Sequence, residues 1–219
     1  MLVAQMQDAG VSMVAYHATD VEGRLERISH EGFPQAWVDI YTSENFVDQD
    51  PFPDLAASME RPFYWHELAD LLDMTPGQEK FLEAMKDTEV GDGVAFYLYG
   101  PRFQNAFMGL GFGESKVTLS DQQMFELQCI AQAAHLRYCF LSKDQSTEVN
   151  LSKRELEVLE WIAVGKSNSV IAEILTMSPH TVDSHVRRIF TKLNVRDRTT
   201  ATLKGVGCGL IRMSEVLHT

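Results

Sequence analysis

The chain has 219 residues, of which 45% are hydrophobic and 23% charged, and its formal net charge is −12. No apolar run is long enough to span a membrane and no signal-peptide pattern is present, so we expect a soluble cytoplasmic protein. The charge is uneven: residues 150–219 have ten basic against seven acidic side chains, and residues 1–149 have nine against twenty-four. Only the carboxyl-terminal part has the sign that suits contact with nucleic-acid phosphates.

The first 141 residues alternate strand-like and amphipathic helical segments. The end of a helix is predicted at 1–9, strands rich in β-forming residues at 12–17, 93–99 and 106–112, and helices at 36–45, 78–86 and 120–141. Ser120 and Gln123 form a capping box at the start of the last helix. This alternation predicts a sheet covered by helices, an α+β domain of the α/β/α sandwich type.

The last part of the chain reads as three short helices after a polar stretch at 142–150. Ser152 and Glu155 form a capping box for the first helix, which ends at Gly165. Ser167 caps the second helix. Ser178 caps the third, and Pro179 takes its favoured first position.

The third of these helices has two different faces. Its inner face is apolar, with Val182, Val186, Ile189 and Leu193 at spacings of four, three and four. The outward side chains are polar or charged: Thr181, Asp183, Ser184, Arg187, Arg188 and Lys192. Such a helix suits a DNA major groove, although a solvated helical hairpin at the end of an ordinary domain would show the same two faces.

The segments 155–159, 165–167, 171–172, 178–186 and 192–199 decide between these two interpretations. Together they resemble the LuxR-type helix-turn-helix over about 60 residues, in a long match without gaps. The resemblance implies that this end of the chain binds double-stranded DNA.

Five positions in the first part form a second pattern. Trp37, Tyr41, Asp50 with Pro51, Trp65 and Gly93 are separated by three, eight, thirteen and twenty-seven residues. Each has an ordinary structural explanation when taken alone, since a Trp and Tyr one helical turn apart are common in cores and Asp-Pro often starts a turn. The joint pattern is similar to the acyl-homoserine-lactone-binding domain that precedes LuxR-type DNA-binding domains.

This second resemblance implies roles for individual residues. The Trp37 indole N–H would donate to the lactone carbonyl, the Asp50 carboxylate would accept the amide N–H, and Tyr41 and Trp65 would wall the pocket. Phe33 stands where many relatives have a tyrosine whose hydroxyl helps to hold the amide carbonyl. The strand at 106–112 contains no Ser or Thr of the kind that relatives use toward a 3-oxo group, which favours an acyl chain without that group.

The DNA-binding resemblance implies roles in the same way. Asp183, Ser184 and Arg187 would read bases, with Asp183 orienting Arg187 or accepting from cytosine. The phosphate-binding set would comprise Thr181, Arg188, Lys192, Lys166 and Ser167. Dimers of this family place two recognition helices about 10 bp apart, which implies an inverted-repeat site of roughly 20 bp. Dimer contacts are expected from the helix at 120–141 and from a last helix near 199–210.

Taken together, the two resemblances imply a quorum-sensing transcription regulator. Its parts would be a sensor domain at 1–141, a linker at 142–150 and a helix-turn-helix domain at 151–219. The implied partners are DNA, a small autoinducer and a second copy of the chain, with RNA polymerase as a candidate and no membrane. The alternatives are a regulator that responds to a ligand other than a lactone, a ligand-independent DNA-binding protein, and a response regulator sharing the same DNA-binding domain.

Several residue types that could signal catalysis or a metal have ordinary explanations here. Gly109, Gly111 and Gly113 lack the spacing of a phosphate-binding loop. The histidines show no metal-ligand spacing, and no catalytic triad can be assembled. Cys129 and Cys139 are expected to be plain core thiols. We therefore expect neither an enzyme, nor a metal site, nor a cofactor.

Overall fold

The computed structural model describes Met6 and residues 10–20, 24–113, 117–142 and 149–212. The chain divides into two compact units, Met1–Leu141 and Ser142–Thr219. The predicted helix end at 1–9, apart from Met6, and most of the predicted linker lie outside the described residues.

The first unit is built on an antiparallel sheet. Its strands are β1 Met13–Thr19, β2 Leu25–Glu31, β3 Phe63–Tyr64, β4 Gly93–Leu98 and β5 Ala106–Gly111, in the order β2-β1-β5-β4-β3. The predicted strands β1, β4 and β5 are confirmed. The other two were not predicted, because β2 is polar and largely exposed and β3 has only two residues.

Helices cover both faces of this sheet, which confirms the α+β sandwich. Period-two alternation sends Met13 and Ala15 to one face and Tyr16 and Ala18 to the other. The first face packs against helices α1 to α4, and the second face packs against α5. These helices are α1 Gln35–Ser43, α2 Phe52–Ser58, α3 Leu68–Leu71, α4 Pro76–Asp87 and α5 Asp121–Leu141.

A buried histidine fixes α5 on the sheet. His135 Nε2 lies 2.8 Å from the Gln104 carbonyl oxygen, so this nitrogen donates. His135 Nδ1 must then accept from the Tyr16 hydroxyl, 2.8 Å away. Cys139, one turn further along α5, is buried as expected, whereas Cys129 is exposed, so the expectation of a core thiol at Cys129 was wrong.

Within residues 149–212, the described part of the second unit, four helices surround one apolar core. They are α6 Lys153–Ala163, α7 Asn168–Ile174, α8 Pro179–Leu193 and α9 Arg198–Gly207. The predicted caps Ser152, Ser167 and Ser178 each accept from a backbone N–H of the first turn. Within the described ranges no helix is both long and apolar enough to cross a membrane.

A close approach of helices explains one glycine of α9. A Cβ atom on Gly205 would lie 3.1 Å from the Leu159 side chain and 2.8 Å from Ile211. The glycine therefore lets α9 sit directly against α6, and the benefit of that packing offsets its low helix propensity.

Candidate functional site

A small cavity of about 20 Å³ lies between the sheet and helices α1, α2 and α4 of the first unit. All five residues that the sequence predicted for a ligand site line it: Phe33, Trp37, Tyr41, Asp50 and Trp65. Side chains that were not predicted complete the wall: Ala15, His30, Phe52, Phe81, Met85 and Phe107. Since this volume holds about one water molecule, a larger occupant requires the aromatic walls to move.

Two tryptophans contribute buried hydrogen-bond donors to the cavity wall. Trp37 on α1 is 2% exposed, and its indole N–H has no partner among the described residues. The indole N–H of Trp65, which also lines the cavity, is likewise buried, and no partner for it lies in the part of the chain that the structure describes. A buried donor left unsatisfied costs about 1 to 3 kcal/mol, so the cavity favours an occupant with hydrogen-bond acceptors.

Asp50 is the acidic group of the cavity, with a side chain only 5% exposed. The Tyr41 hydroxyl donates to Oδ2 over 3.1 Å, and the Phe52 backbone N–H donates to Oδ1 over 3.0 Å. Burial raises the pKa of Asp50 to about 7, although these two hydrogen bonds act in the opposite direction. Burial and the neighbouring Asp50 also raise the pKa of Tyr41, so its hydroxyl keeps its proton.

Three glycines make room for the Trp65 ring. A Cβ atom would come within 2.6 Å of that ring at Gly93, 2.9 Å at Gly111 and 3.1 Å at Gly109. Because β4 and β5 pair Gly93 with Gly111, these glycines form one flat patch on the sheet. Gly109 and Gly111, two of the alternating glycines whose run superficially resembles a phosphate loop, therefore serve to seat the Trp65 ring on the sheet.

Two histidines beside Asp50 were missed by the sequence analysis. His17 on β1 is 4% exposed, and its Nδ1 lies 3.9 Å from Asp50 Oδ2. Its Nε2 lies 3.2 Å from Nε2 of His30 on β2. Met13, Ala15 and His17 are alternate residues of β1, and this spacing could have placed His17 on the same face of the sheet as Met13 and Ala15. The polar, exposed strand β2 gave no such signal for His30.

A second, larger cavity of about 530 Å³ adjoins the first. Phe52, Trp65 and Met85 line both cavities and form the wall between them. The remaining lining includes the apolar side chains of Leu68 and Leu82 and the polar or charged side chains of His66, Lys86, Glu89 and Asp92.

In the second unit, α8 exposes much of the face that the sequence assigned to DNA. Thr181, Arg187 and Arg188 are exposed, and Ser184 is half-buried. Among the described residues neither of the two guanidinium groups has a hydrogen-bond or ion-pair partner. Lys166 and Ser167 precede α7, where Ser167 is exposed and caps that helix.

Asp183, which was expected to orient Arg187 or to accept from cytosine, has no hydrogen bond to Arg187 among the described residues. Its Oδ1 instead accepts a hydrogen bond of 2.7 Å from the Asn168 side-chain amide on α7. The physical reason is that Asp183 is half-buried at the contact of α7 with α8, whereas Arg187 points to solvent. Asn168, which the sequence analysis did not single out, thus ties the two helices of the motif together.

Lys192 also has an internal partner. Its ammonium group lies 2.7 Å from Oε2 of Glu155 on α6 and 3.0 Å from the Asn150 carbonyl oxygen. Glu155 is 3% exposed and closes the capping box with Ser152. The Lys192 and Ser152 hydrogen bonds lower the pKa of Glu155 despite its burial. The ammonium that was expected to face phosphates therefore links α8 to α6.

Known proteins share both units. Residues 1–138 match the family model of the autoinducer binding domain, and residues 149–204 match that of the bacterial regulatory proteins of the luxR family. The chain is 30% identical over 183 residues to the quorum-sensing-dependent transcriptional regulator RpaR of Rhodopseudomonas palustris, covering 83% of this chain and 74% of RpaR. It is 27% identical over 186 residues to the regulatory protein SdiA of Escherichia coli, covering 83% and 75%.

Among solved structures, SdiA in complex with octanoyl-rac-glycerol has a TM-score of 0.71 at 24% identity, covering 95% of this chain and 86% of that one. This likeness supports the fold. An autoinducer-binding domain followed by a helix-turn-helix domain defines the class: a DNA-binding transcription regulator of quorum sensing. The chain belongs to the LuxR family.

Proposed function

We propose that this regulator senses an N-acyl homoserine lactone and, with the ligand bound, binds inverted-repeat DNA as a dimer. The observation that carries the ligand proposal is the pairing of a donor and an acceptor in one buried cavity. The indole N–H of Trp37 has no acceptor among the described residues, and the carboxylate of Asp50 lines the same cavity.

The chemistry of an acyl homoserine lactone matches this pairing. The lactone carbonyl would accept from Trp37, and the amide N–H would donate to Asp50, whose carboxylate Tyr41 and Phe52 already hold in place. The acyl group would then lie among the aromatic walls and extend past Trp65 toward the larger cavity.

Ligand binding and folding are expected to be linked. The inner cavity must expand, and expansion of an apolar site is favourable only when an apolar group fills it. Each methylene of an acyl chain contributes about 0.8 kcal/mol of transfer free energy. A ligand with eight methylenes would therefore supply about 6 kcal/mol before the costs of rearrangement.

The ligand proposal is tested by thermal unfolding of the full chain with and without octanoyl homoserine lactone. We expect the melting temperature of the wild type to rise, and Trp37→Phe and Asp50→Asn to lose most of that rise, because each loses one hydrogen bond to the ligand. Each of the two substitutions should weaken binding by a factor of about 10 to 100.

Asp54→Asn is the matched control, since it makes the same chemical change on an exposed side chain one turn away on α2. This variant should respond to the lactone like the wild type. If lactones with acyl chains of four to twelve carbons all leave the melting temperature of the wild type unchanged, the lactone proposal is wrong.

A second ligand class follows from the solved SdiA complex, whose ligand is an acylglycerol. An acylglycerol has no amide N–H, although its glycerol hydroxyls could donate to Asp50. If the chain responds to octanoylglycerol and to none of the lactones, the regulator responds to an acyl ester instead.

For DNA, we propose that Ser184 and Arg187 read bases, while Thr181, Arg188, Lys166 and Ser167 contact phosphates. Asp183 is assigned to the α7 contact, with one carboxylate oxygen free to accept from a base. The exposed arginines of α8 are the strongest support, since guanidinium groups bind both guanine edges and phosphates.

Binding to a panel of half-sites that differ at single positions tests these roles. Arg187→Ala should cost about 1 to 3 kcal/mol on the preferred site and relax the preference at one position per half-site. Arg188→Ala should weaken binding to all sequences alike and reduce the salt dependence. The assignment fails if the two variants behave identically.

A further inference from the structure

The histidine pair His17 and His30 is a polar element of the pocket that the ligand scheme above leaves unused. His30 lines the inner cavity, and its ring lies 4.5 Å from that of Tyr41 and 5.3 Å from that of Phe33, measured between centroids. His17 lies opposite Phe107 in the pairing of β1 with β5 and is almost fully buried. The sheet thus places one hydrogen-bonding ring, His30, in the cavity wall and a second, His17, in contact with it.

Both rings are neutral, and this limits how they can bond. Burial lowers the pKa of His17 to about 3 and that of His30 to about 4. A neutral imidazole has one N–H and one bare nitrogen. Across the 3.2 Å contact of their Nε2 atoms, one ring must therefore donate and the other must accept.

Asp50 decides which ring donates. Its Oδ2 lies 3.9 Å from Nδ1 of His17, so above about pH 7, where this carboxylate is ionised, it favours a proton on that nitrogen over a lone pair. His17 Nε2 is then bare and accepts from the N–H on Nε2 of His30. His30 Nδ1 is left as a bare acceptor, and among the described residues it has no hydrogen-bond partner.

We propose that His30 Nδ1 accepts a hydrogen bond from a hydroxyl on the acyl group of the ligand, so that the pocket prefers a hydroxylated acyl chain over a keto or unsubstituted one. A hydroxyl donates to the bare nitrogen. A keto oxygen would face a lone pair, and a plain alkyl chain would cover the nitrogen without a partner. This inference rests on the proposed binding of an acyl homoserine lactone at Trp37 and Asp50.

The inference is tested by competition on the full chain, loaded with octanoyl homoserine lactone and challenged with its 3-hydroxy and 3-oxo derivatives. For the wild type we expect the 3-hydroxy compound to bind about tenfold or more tightly than the 3-oxo compound and the unsubstituted lactone. His30→Phe, which keeps an aromatic ring but removes the acceptor, should bring all three to within about twofold.

The variant His17→Phe tests whether His17 sets the tautomer of His30, because it leaves the His30 ring in place to contact the ligand. Without His17, His30 can carry its proton on either nitrogen, so the 3-oxo compound should gain affinity relative to the 3-hydroxy compound. Glu31→Gln, an exposed neighbour on β2, is the control and should keep the ranking of the wild type.

The wild-type ranking decides the matter even if a histidine variant fails to fold. Equal or weaker binding of the 3-hydroxy compound would overturn the inference while leaving the lactone proposal intact. Failure of every lactone to bind would overturn both.

Discussion

At the scale of single residues, the pocket of this regulator concentrates polar groups in an apolar wall. Burial disfavours the charged form of each of these groups. It therefore raises the pKa of Asp50 and lowers the pKa values of His17 and His30. The same groups that are suited to hydrogen-bond a ligand therefore also make stability depend on pH.

The pH dependence can be given a sign. The raised pKa of Asp50 contributes stability that is present below about pH 4 and lost as the pH rises through about 7. The lowered pKa values of the two histidines contribute stability that is present above about pH 6.5 and lost as the pH falls toward 4 and 3. Between pH 4.5 and 6, unfolding thus takes up two protons at the histidines and releases one at Asp50.

We expect these three groups together to make the unfolding free energy rise with pH in this window by roughly 1.4 kcal/mol per pH unit. Asp50→Asn should about double that contribution, and His17→Phe should cancel it. Urea unfolding at several pH values measures the slopes, and the difference between variant and wild type removes the contribution of all other groups. Parallel slopes for the three proteins would contradict the argument.

At the scale of elements, helix α8 holds the helices of its domain together in addition to its proposed contact with DNA. It is tied to α7 through Asp183 and Asn168, and to α6 through Lys192 and the nearly buried Glu155. Breaking such a pair leaves a buried carboxylate with fewer partners, which costs more than the pair itself contributes.

Lys192→Met is therefore expected to lower the unfolding free energy of the DNA-binding domain by about 1 to 3 kcal/mol. Arg188→Met, which removes an exposed cation from the same helix, should change stability little. Urea unfolding followed by circular dichroism makes the comparison. A Lys192 variant with unchanged stability but weakened DNA binding would return this residue to the phosphate role.

At the scale of the whole molecule, each unit has its own hydrophobic core. The proposed active form is a dimer of two copies of the chain. Helix α5 leaves a row of exposed apolar side chains, spaced by four or seven residues. The row consists of Phe125, Cys129, Leu136 and Phe140, all exposed. An apolar stripe of this kind suits a second copy of the same helix.

We predict that a double variant, Phe125→Glu with Phe140→Glu, is monomeric in sedimentation velocity under conditions in which the lactone-bound wild type is dimeric. The introduced charges would have to be desolvated at the interface. Leu25→Glu places the same charge on an exposed apolar position of β2 and should leave the dimer intact. If the double variant still dimerises, the interface lies elsewhere.

Much of the fold follows from local rules that act within a few residues. The caps Ser152, Ser167 and Ser178 start their helices because a side-chain oxygen satisfies a free backbone N–H nearby. The strands β1, β4 and β5 could be predicted because their runs are short and rich in β-forming residues. The motif of Trp37, Tyr41, Asp50 and Trp65 could be recognised because these types and spacings are rare in combination.

Tertiary structure alone decided which partners each polar group has. The sequence could not pair His17 with His30 across two strands, because β2 is exposed and polar and therefore carries no periodic signal. Nor could it show that Lys192 reaches Glu155 37 positions away, or that Asp183 bonds Asn168 rather than Arg187. Local sequence determines where helices and strands begin, whereas the contacts of a buried charge depend on which elements the apolar cores bring together.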